Sequence, residues 1–233
     1  MASSLPLVLI PGLQCSARLY APQVIALWPF GPVTIADHRR DDEIVAVAAR
    51  ILANAPPRFA LAGLSYGGYI AFELVRQAPE RIAKLALLDT SARADTPEQT
   101  EGRHFFIAMA ENGQLAEITE TQIPRFIHRD RLNDEALKAT VHAMAVDTGP
   151  EAFVRQEKAI MSRPDSRLLL GQIRCPTLVL VGDSDVATPP ELAHEIADGI
   201  PGAKLVTVPH CGHLSTIERP EAVNAALADW LAV

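Results

Sequence analysis

The run Phe59-Ala-Leu-Ala-Gly63-Leu-Ser65-Tyr-Gly67-Gly68 constrains this chain more than any other stretch. An apolar segment ends in G-x-S-x-G, and a helical pattern, Tyr66–Gln77, opens directly after it. A strand-to-helix turn this abrupt leaves no room for side chains two positions either side of the serine, hence Gly63 and Gly67. The serine is forced into a strained backbone that lifts its hydroxyl above the carboxyl edge of the sheet, where open α/β sheets carry their sites. The turn also sets Ser65 at a helix N-terminus, where the dipole and the Tyr66 N–H face a developing oxyanion.

A strand feeding such a turn needs parallel partners, and the chain supplies them. Leu7–Ile10, Leu85–Leu88 and Thr177–Val181 are short continuous apolar runs, with weaker ones at Val33–Ala36 and Lys204–Val208. Continuous rather than alternating runs suit strands buried on both faces. Helical patterns lie between them at Ile44–Asn54, Pro190–Ile200 and Pro220–Leu231, with Thr188 and Glu218 just upstream of the two prolines as start signals. The alternation predicts a doubly wound, mostly parallel α/β sheet of about six strands with right-handed crossovers.

Composition narrows the class. With 48% hydrophobic and 21% charged residues among 233, the chain can bury a sizeable core and is not intrinsically disordered. The net charge of -7 is spread without a basic stripe, so nucleic acid is not expected as a partner. No apolar run approaches the roughly 18 residues of a membrane span. Met1–Pro6 has no basic region and the run after it stops at Pro11-Gly12, so no signal peptide is expected. Three widely spaced cysteines, Cys15, Cys175 and Cys211, fit a reducing cytoplasm better than a disulfide framework.

From Asp95 to about Pro164 the strand rhythm stops. Helical stretches such as Glu135–Val146 and Ala152–Ile160 remain, so a helical insertion is expected there rather than a long loop. The expected division is a sheet domain over residues 1–94 and 166–233, with a helical cap over 95–165.

A serine hydroxyl needs a base to take its proton. His213, in Pro209-His-Cys-Gly-His213-Leu, follows the last strand-like run and therefore lies at the same sheet edge as Ser65. A rival reading makes His210, Cys211 and His213 a metal cluster, although no further ligand and no H-E-x-x-H motif accompanies them. The loop after Val179-Leu-Val-Gly182 offers Asp183 and Asp185 to orient the imidazole, and Asp185, further out, is the favoured candidate. Asp89, closing the Leu85–Leu88 strand, is a reserve position, more naturally structural. In the turn after the first strand, Gly12 lets the backbone approach a substrate, and the Leu13 N–H would join that of Tyr66 in an oxyanion hole.

Together these residues resemble the α/β-hydrolase superfamily over essentially the whole chain. Gly182-Asp-Ser-Asp-Val-Ala-Thr-Pro-Pro and Gly212-His-Leu-Ser-Thr-Ile-Glu-Arg-Pro-Glu are especially similar to the 3-oxoadipate enol-lactonase and carboxylesterase group. The resemblance implies that Asp185 and His213 complete a triad with Ser65. Two departures stand out. The usual His-Gly of the oxyanion turn is Pro11-Gly12, which removes a side chain that buttresses the loop, and no opening hairpin is expected before the strand at Leu7.

The expected activity is hydrolysis of a small-molecule ester or lactone through an acyl-enzyme, with no metal or organic cofactor. The same triad also serves C–C bond hydrolases, thioesterases and cofactor-free haloperoxidases, and a non-catalytic small-molecule binder is the rival from another class. The insert carries Arg93, Arg103, Arg125, Arg129 and Arg131, any of which could pair a substrate carboxylate. A monomer or homodimer is expected.

Overall fold

A computed structural model describes residues 5–233. The leader reading at Met1–Ser4 lies outside the described residues. Six strands, β1 (Leu7–Ile10), β2 (Val33–Ile35), β3 (Phe59–Leu64), β4 (Ile82–Leu88), β5 (Thr177–Gly182) and β6 (Lys204–Val208), pair throughout in parallel in the order β2-β1-β3-β4-β5-β6. Helices α1 (Ala21–Leu27), α2 (Ile44–Asn54) and α3 (Tyr66–Gln77) connect the first four strands. Between β4 and β5 come α4 (Pro97–Glu111), α5 (Leu115–Phe126), α6 (Glu135–Thr148), α7 (Pro150–Met161) and the short α8 (Arg167–Leu170). α9 (Pro190–Gly199) joins β5 to β6, and α10 (Ser215–Glu218) and α11 (Pro220–Ala232) follow.

Side-chain alternation divides the core into two layers. Val8, Ile10, Leu61, Leu85 and Leu87 pack with α2, α3 and α9 on one face; Leu7, Leu9, Ala60, Ala62 and Leu88 pack with α1 and α11 on the other. Each fully buried leucine of these strands, such as Leu61 or Leu85, contributes about 1.5–3 kcal/mol of transfer free energy. The sheet is therefore a covered, doubly wound layer, as the continuous apolar runs require.

Strand order decides where a site can form. After β1 the chain moves outward to β2, then returns to place β3 on the other side of β1. The loops leaving β1 and β3 consequently diverge and open a crevice at their carboxyl ends. Gly12 and Leu13 leave one side of it and Ser65 the other.

The turn at Ser65 is built by close approach of backbones. A Cβ on Gly63 would overlap the Gly67 carbonyl, and one on Gly67 would overlap the Ile10 carbonyl. Replacing Gly63 by Ala should therefore cost about 1–3 kcal/mol through overpacking against backbone that cannot yield. Urea unfolding monitored by circular dichroism checks this: the midpoint should fall, and an unchanged midpoint would contradict the packing argument.

Candidate active site

Ser65 adopts φ 55° and ψ -115°, a left-handed conformation costly for any residue with a Cβ. It is held there from both sides. The Ser65 N–H donates to the Leu88 carbonyl at 2.9 Å, and the Thr90 hydroxyl donates to the Ser65 carbonyl at 2.8 Å. The side chain is thereby aimed at the loop following β6.

From that loop His213 places Nε2 2.9 Å from Ser65 Oγ and Nδ1 2.8 Å from Asp185 Oδ2. The carboxylate can only accept, so Nδ1 carries the proton and the bare Nε2 faces the serine hydroxyl. Asp185 is buried, and its remaining hydrogen bonds are all accepted from its own loop. Ala187 N and Thr188 N donate to Oδ1 at 2.8 and 2.9 Å, and the Thr188 hydroxyl donates to Oδ2 at 2.7 Å.

Burial disfavours the charged forms of both partners, yet their mutual attraction outweighs it. Asp185 is held below the ordinary carboxylate range by the His213 charge and hydrogen bonds from His213 and Thr188. His213 is raised above its ordinary 6.5 because the Asp185 charge and hydrogen bond, with Asp89 and Glu218 adding to them, exceed the burial penalty.

The other candidates fall elsewhere. Asp183 accepts from His210 N and Cys211 N at 2.9 and 3.1 Å, tying the β5 and β6 loops together. Asp89 accepts from Gly182 N at 2.9 Å and from the Ser215 hydroxyl, and burial raises its carboxyl well above the ordinary value. The His210, Cys211 and His213 cluster does not converge, because His213 faces Ser65 and the Cys211 thiol is buried. His210 lies instead with His128 and Asp130, their ligand-type atoms within 4.8 Å of one another, where His128 Nδ1 accepts the Asp130 N–H.

Thr188 and Glu218 do not act as helix start signals. The residues capping α9 and α11 are Pro189 and Arg219, without side-chain caps. Thr188 instead holds Asp185, and Glu218 accepts from Gly212 N and His128 N at 3.0 and 2.8 Å, fixing the loop that carries His213. Both are polar groups drawn inward by orphaned donors of the site loops.

The β1 turn has a buttress after all. His38, from the loop after β2, lies 3.0 Å through Nε2 from the Gly12 carbonyl and stacks on Tyr66 at 5.5 Å. Since a carbonyl only accepts, Nε2 carries the proton. Burial lowers His38 to about 4, which keeps the ring neutral. Its role is taken by a histidine where Pro11 supplies none.

Gln14, at φ 59°, anchors the same turn to the insert. Its N–H donates to Gln156 Oε1 on α7 at 3.0 Å, and its amide donates to Thr119 Oγ1 on α5 at 2.9 Å. The Leu13 and Tyr66 N–H groups donate to no acceptor within the described chain. Phe126, ending α5, stacks on the His213 ring at 5.4 Å, and its carbonyl accepts from His213 N and Leu214 N at 3.0 and 3.1 Å. The insert thus reaches both the β1 turn and the histidine loop. A cavity of about 340 Å³ lies between it and Ser65.

This geometry belongs to a recognised class of protein. The family model described as the alpha/beta hydrolase family matches residues 7–226, and the chain belongs to that family. A relative from Mycobacterium tuberculosis, BpoC, provisionally named a non-heme bromoperoxidase, is 32% identical over 193 residues, spanning 76% of this chain and 69% of its own. Among solved structures, an esterase from Thermogutta terrifontis superposes with a TM-score of 0.91 at 30% identity, covering 99% of this chain and 90% of its own. The enol-lactonase from Burkholderia xenovorans superposes with a TM-score of 0.90 at 26% identity, covering 100% of this chain and 93% of its own. No helix among the described residues is long and apolar enough to cross a membrane.

A raised His213 fixes the direction of pH dependence for any reaction that needs its neutral form. Below its pKa the ring is imidazolium and cannot accept the Ser65 proton, so kcat/KM should fall as pH drops through a midpoint above 6.5. Removing the Asp185 charge with Asp185→Asn should lower that midpoint and reduce kcat by on the order of 10³–10⁴-fold. A pH profile of ester hydrolysis for both proteins checks it, and an unshifted midpoint in the variant would contradict the assignment.

Proposed function

We propose that this hydrolase cleaves a small-molecule ester or lactone through an acyl-enzyme formed on Ser65. The single observation carrying the proposal is the continuous line from Ser65 Oγ through the His213 ring to Asp185, with both hydrogen bonds at 2.8–2.9 Å. His213 Nε2 takes the hydroxyl proton as Ser65 Oγ bonds the carbonyl carbon. The electron pair of the carbonyl moves to its oxygen, which the Leu13 and Tyr66 N–H groups receive. Collapse of this intermediate expels the alkoxide, which takes the proton from His213 Nε2. Water then gives its proton to the same nitrogen, attacks the acyl carbon, and releases the acid with Ser65 restored.

Residues 95–165 act in this reading as a cap that selects the substrate over a core of residues 1–94 and 166–233. Its helices α4, α5 and α7 wall the cavity, and Gln14, Gln156 and Thr119 couple it to the oxyanion turn. The names of the Thermogutta esterase and the Burkholderia enol-lactonase support ester or lactone chemistry. A cytoplasmic setting suits the unpaired Cys15, Cys175 and Cys211.

A fluorophosphonate probe tests the nucleophile. The native protein should be labelled and should hydrolyse p-nitrophenyl acetate, while Ser65→Ala should do neither and still unfold at the native temperature within a few degrees. Equal labelling of Ser65→Ala would overturn the proposal.

A further inference from the structure

The five arginines named as possible carboxylate partners are not equivalent once their contacts are traced. Arg93 forms a two-pronged pair with Glu195 at 3.0 Å, and Arg103 is held between Asp95 and Glu157. Arg131 binds the Glu218 carbonyl and Asp134, and Arg129 lies out in solvent 3.7 Å from Asp130. Arg125 alone of the five makes no hydrogen bond or ion pair among the described residues, and it lines the cavity that opens on Ser65.

Its surroundings leave that charge unanswered. Two acids share the cavity lining, and neither pairs with Arg125. Glu157 is paired with Arg103. Glu98 sits in the first turn of α4, where backbone N–H and the Thr96 hydroxyl hold its carboxyl below the ordinary range.

A second group points the same way. Gln122 is three residues before Arg125 on α5, which puts both on one helix face. Only 9% of Gln122 is exposed, its carboxamide has no hydrogen-bond partner in the described chain, and it lines the same cavity. Its amide atoms open onto the cavity rather than into packed core, so only water or a ligand there can satisfy them. Phe126, the next residue after Arg125, stacks on His213, so this helix face continues directly into the proposed reaction centre.

We propose that Gln122 and Arg125 form a recognition subsite for a carboxylate, and that the preferred substrates are esters or lactones carrying a second, ionised carboxyl group. The Gln122 amide N–H and the Arg125 guanidinium supply donors to an anionic oxygen pair, while Leu13, Leu64, Phe106 and Leu214 give the cavity an apolar wall. The proposal rests on the serine-hydrolase reading of Ser65 and deepens it by naming the substrate class.

Two paired comparisons test it, each corrected for uncatalysed hydrolysis. With the charge on the acyl side, p-nitrophenyl hemiglutarate is set against p-nitrophenyl pentanoate; with the charge on the alcohol side, acetoxyacetate is set against ethyl acetate. In at least one pair the native protein should favour the charged ester in kcat/KM by roughly tenfold or more at low salt, shrinking as salt is added. Arg125→Met and Gln122→Leu should each reduce that ratio, mainly through KM, and Arg125→Lys should restore part of it. Arg129→Met, outside the cavity, should leave the ratio unchanged. No preference for charge in either pair, or a ratio insensitive to Arg125→Met, would overturn the subsite. Absence of any turnover would instead overturn the reading of Ser65.

Discussion

The left-handed backbone at Ser65 costs on the order of 1–3 kcal/mol, and the surrounding structure exists in a form that can sustain it. Gly63 and Gly67 remove the two side chains that would collide with backbone, and Leu88 and Thr90 on the neighbouring strand and its loop bind Ser65 on both sides of its Cα. β3 and β4 must therefore be in register, which their shared burial between helices ensures. With Ser65 so fixed, the topological reversal beside β1 brings the Gly12–Leu13 turn opposite it, and the loops after β5 and β6 deliver Asp185 and His213 to the same edge.

Polar groups far apart in sequence then hold the loops that the sheet only brings near. The Asp185 carboxylate is held by three donors of its own loop, Asp183 clamps the β6 loop, and Glu218 fixes it through Gly212 N. The insert takes part in the same framework. Its α5 terminates on His213 backbone and ring, and α5 and α7 both receive Gln14. A change that displaced α5 would move the histidine loop and the β1 turn together, so the insert and the geometry at Ser65 are mechanically linked.

Much of this was readable from residue order because local chemistry dictates it. β1 and β6 coincide with their apolar runs, and α2 and α3 with their patterns. β3 continues past Ala62 because Gly63 and Leu64 still pair with Ile10 and Leu88, and β4 begins earlier because Ile82 pairs with Phe59 and Lys84 reaches the Trp230 and Leu231 carbonyls. The triad candidates were legible because each follows a strand at one edge. Longer-range roles were not. His38 meets Gly12 across 26 residues and Gln14 meets Gln156 across 142, separations that no periodicity reports. Thr188 and Glu218 looked like helix starts because proline follows each, whereas tertiary donors claimed both side chains. The packing of α4 was hidden because it buries little beyond Ile107 and Ala110.

In the proposed chemistry every turnover passes an acyl group through Ser65 Oγ. Rapid-quench mass spectrometry during hydrolysis of an activated acetate ester reads this directly. The mass of one acetyl group should appear on the peptide containing Ser65 within the first turnover and be lost as substrate is exhausted. Turnover at the same rate with no acyl adduct, or with the adduct on another residue, would contradict it.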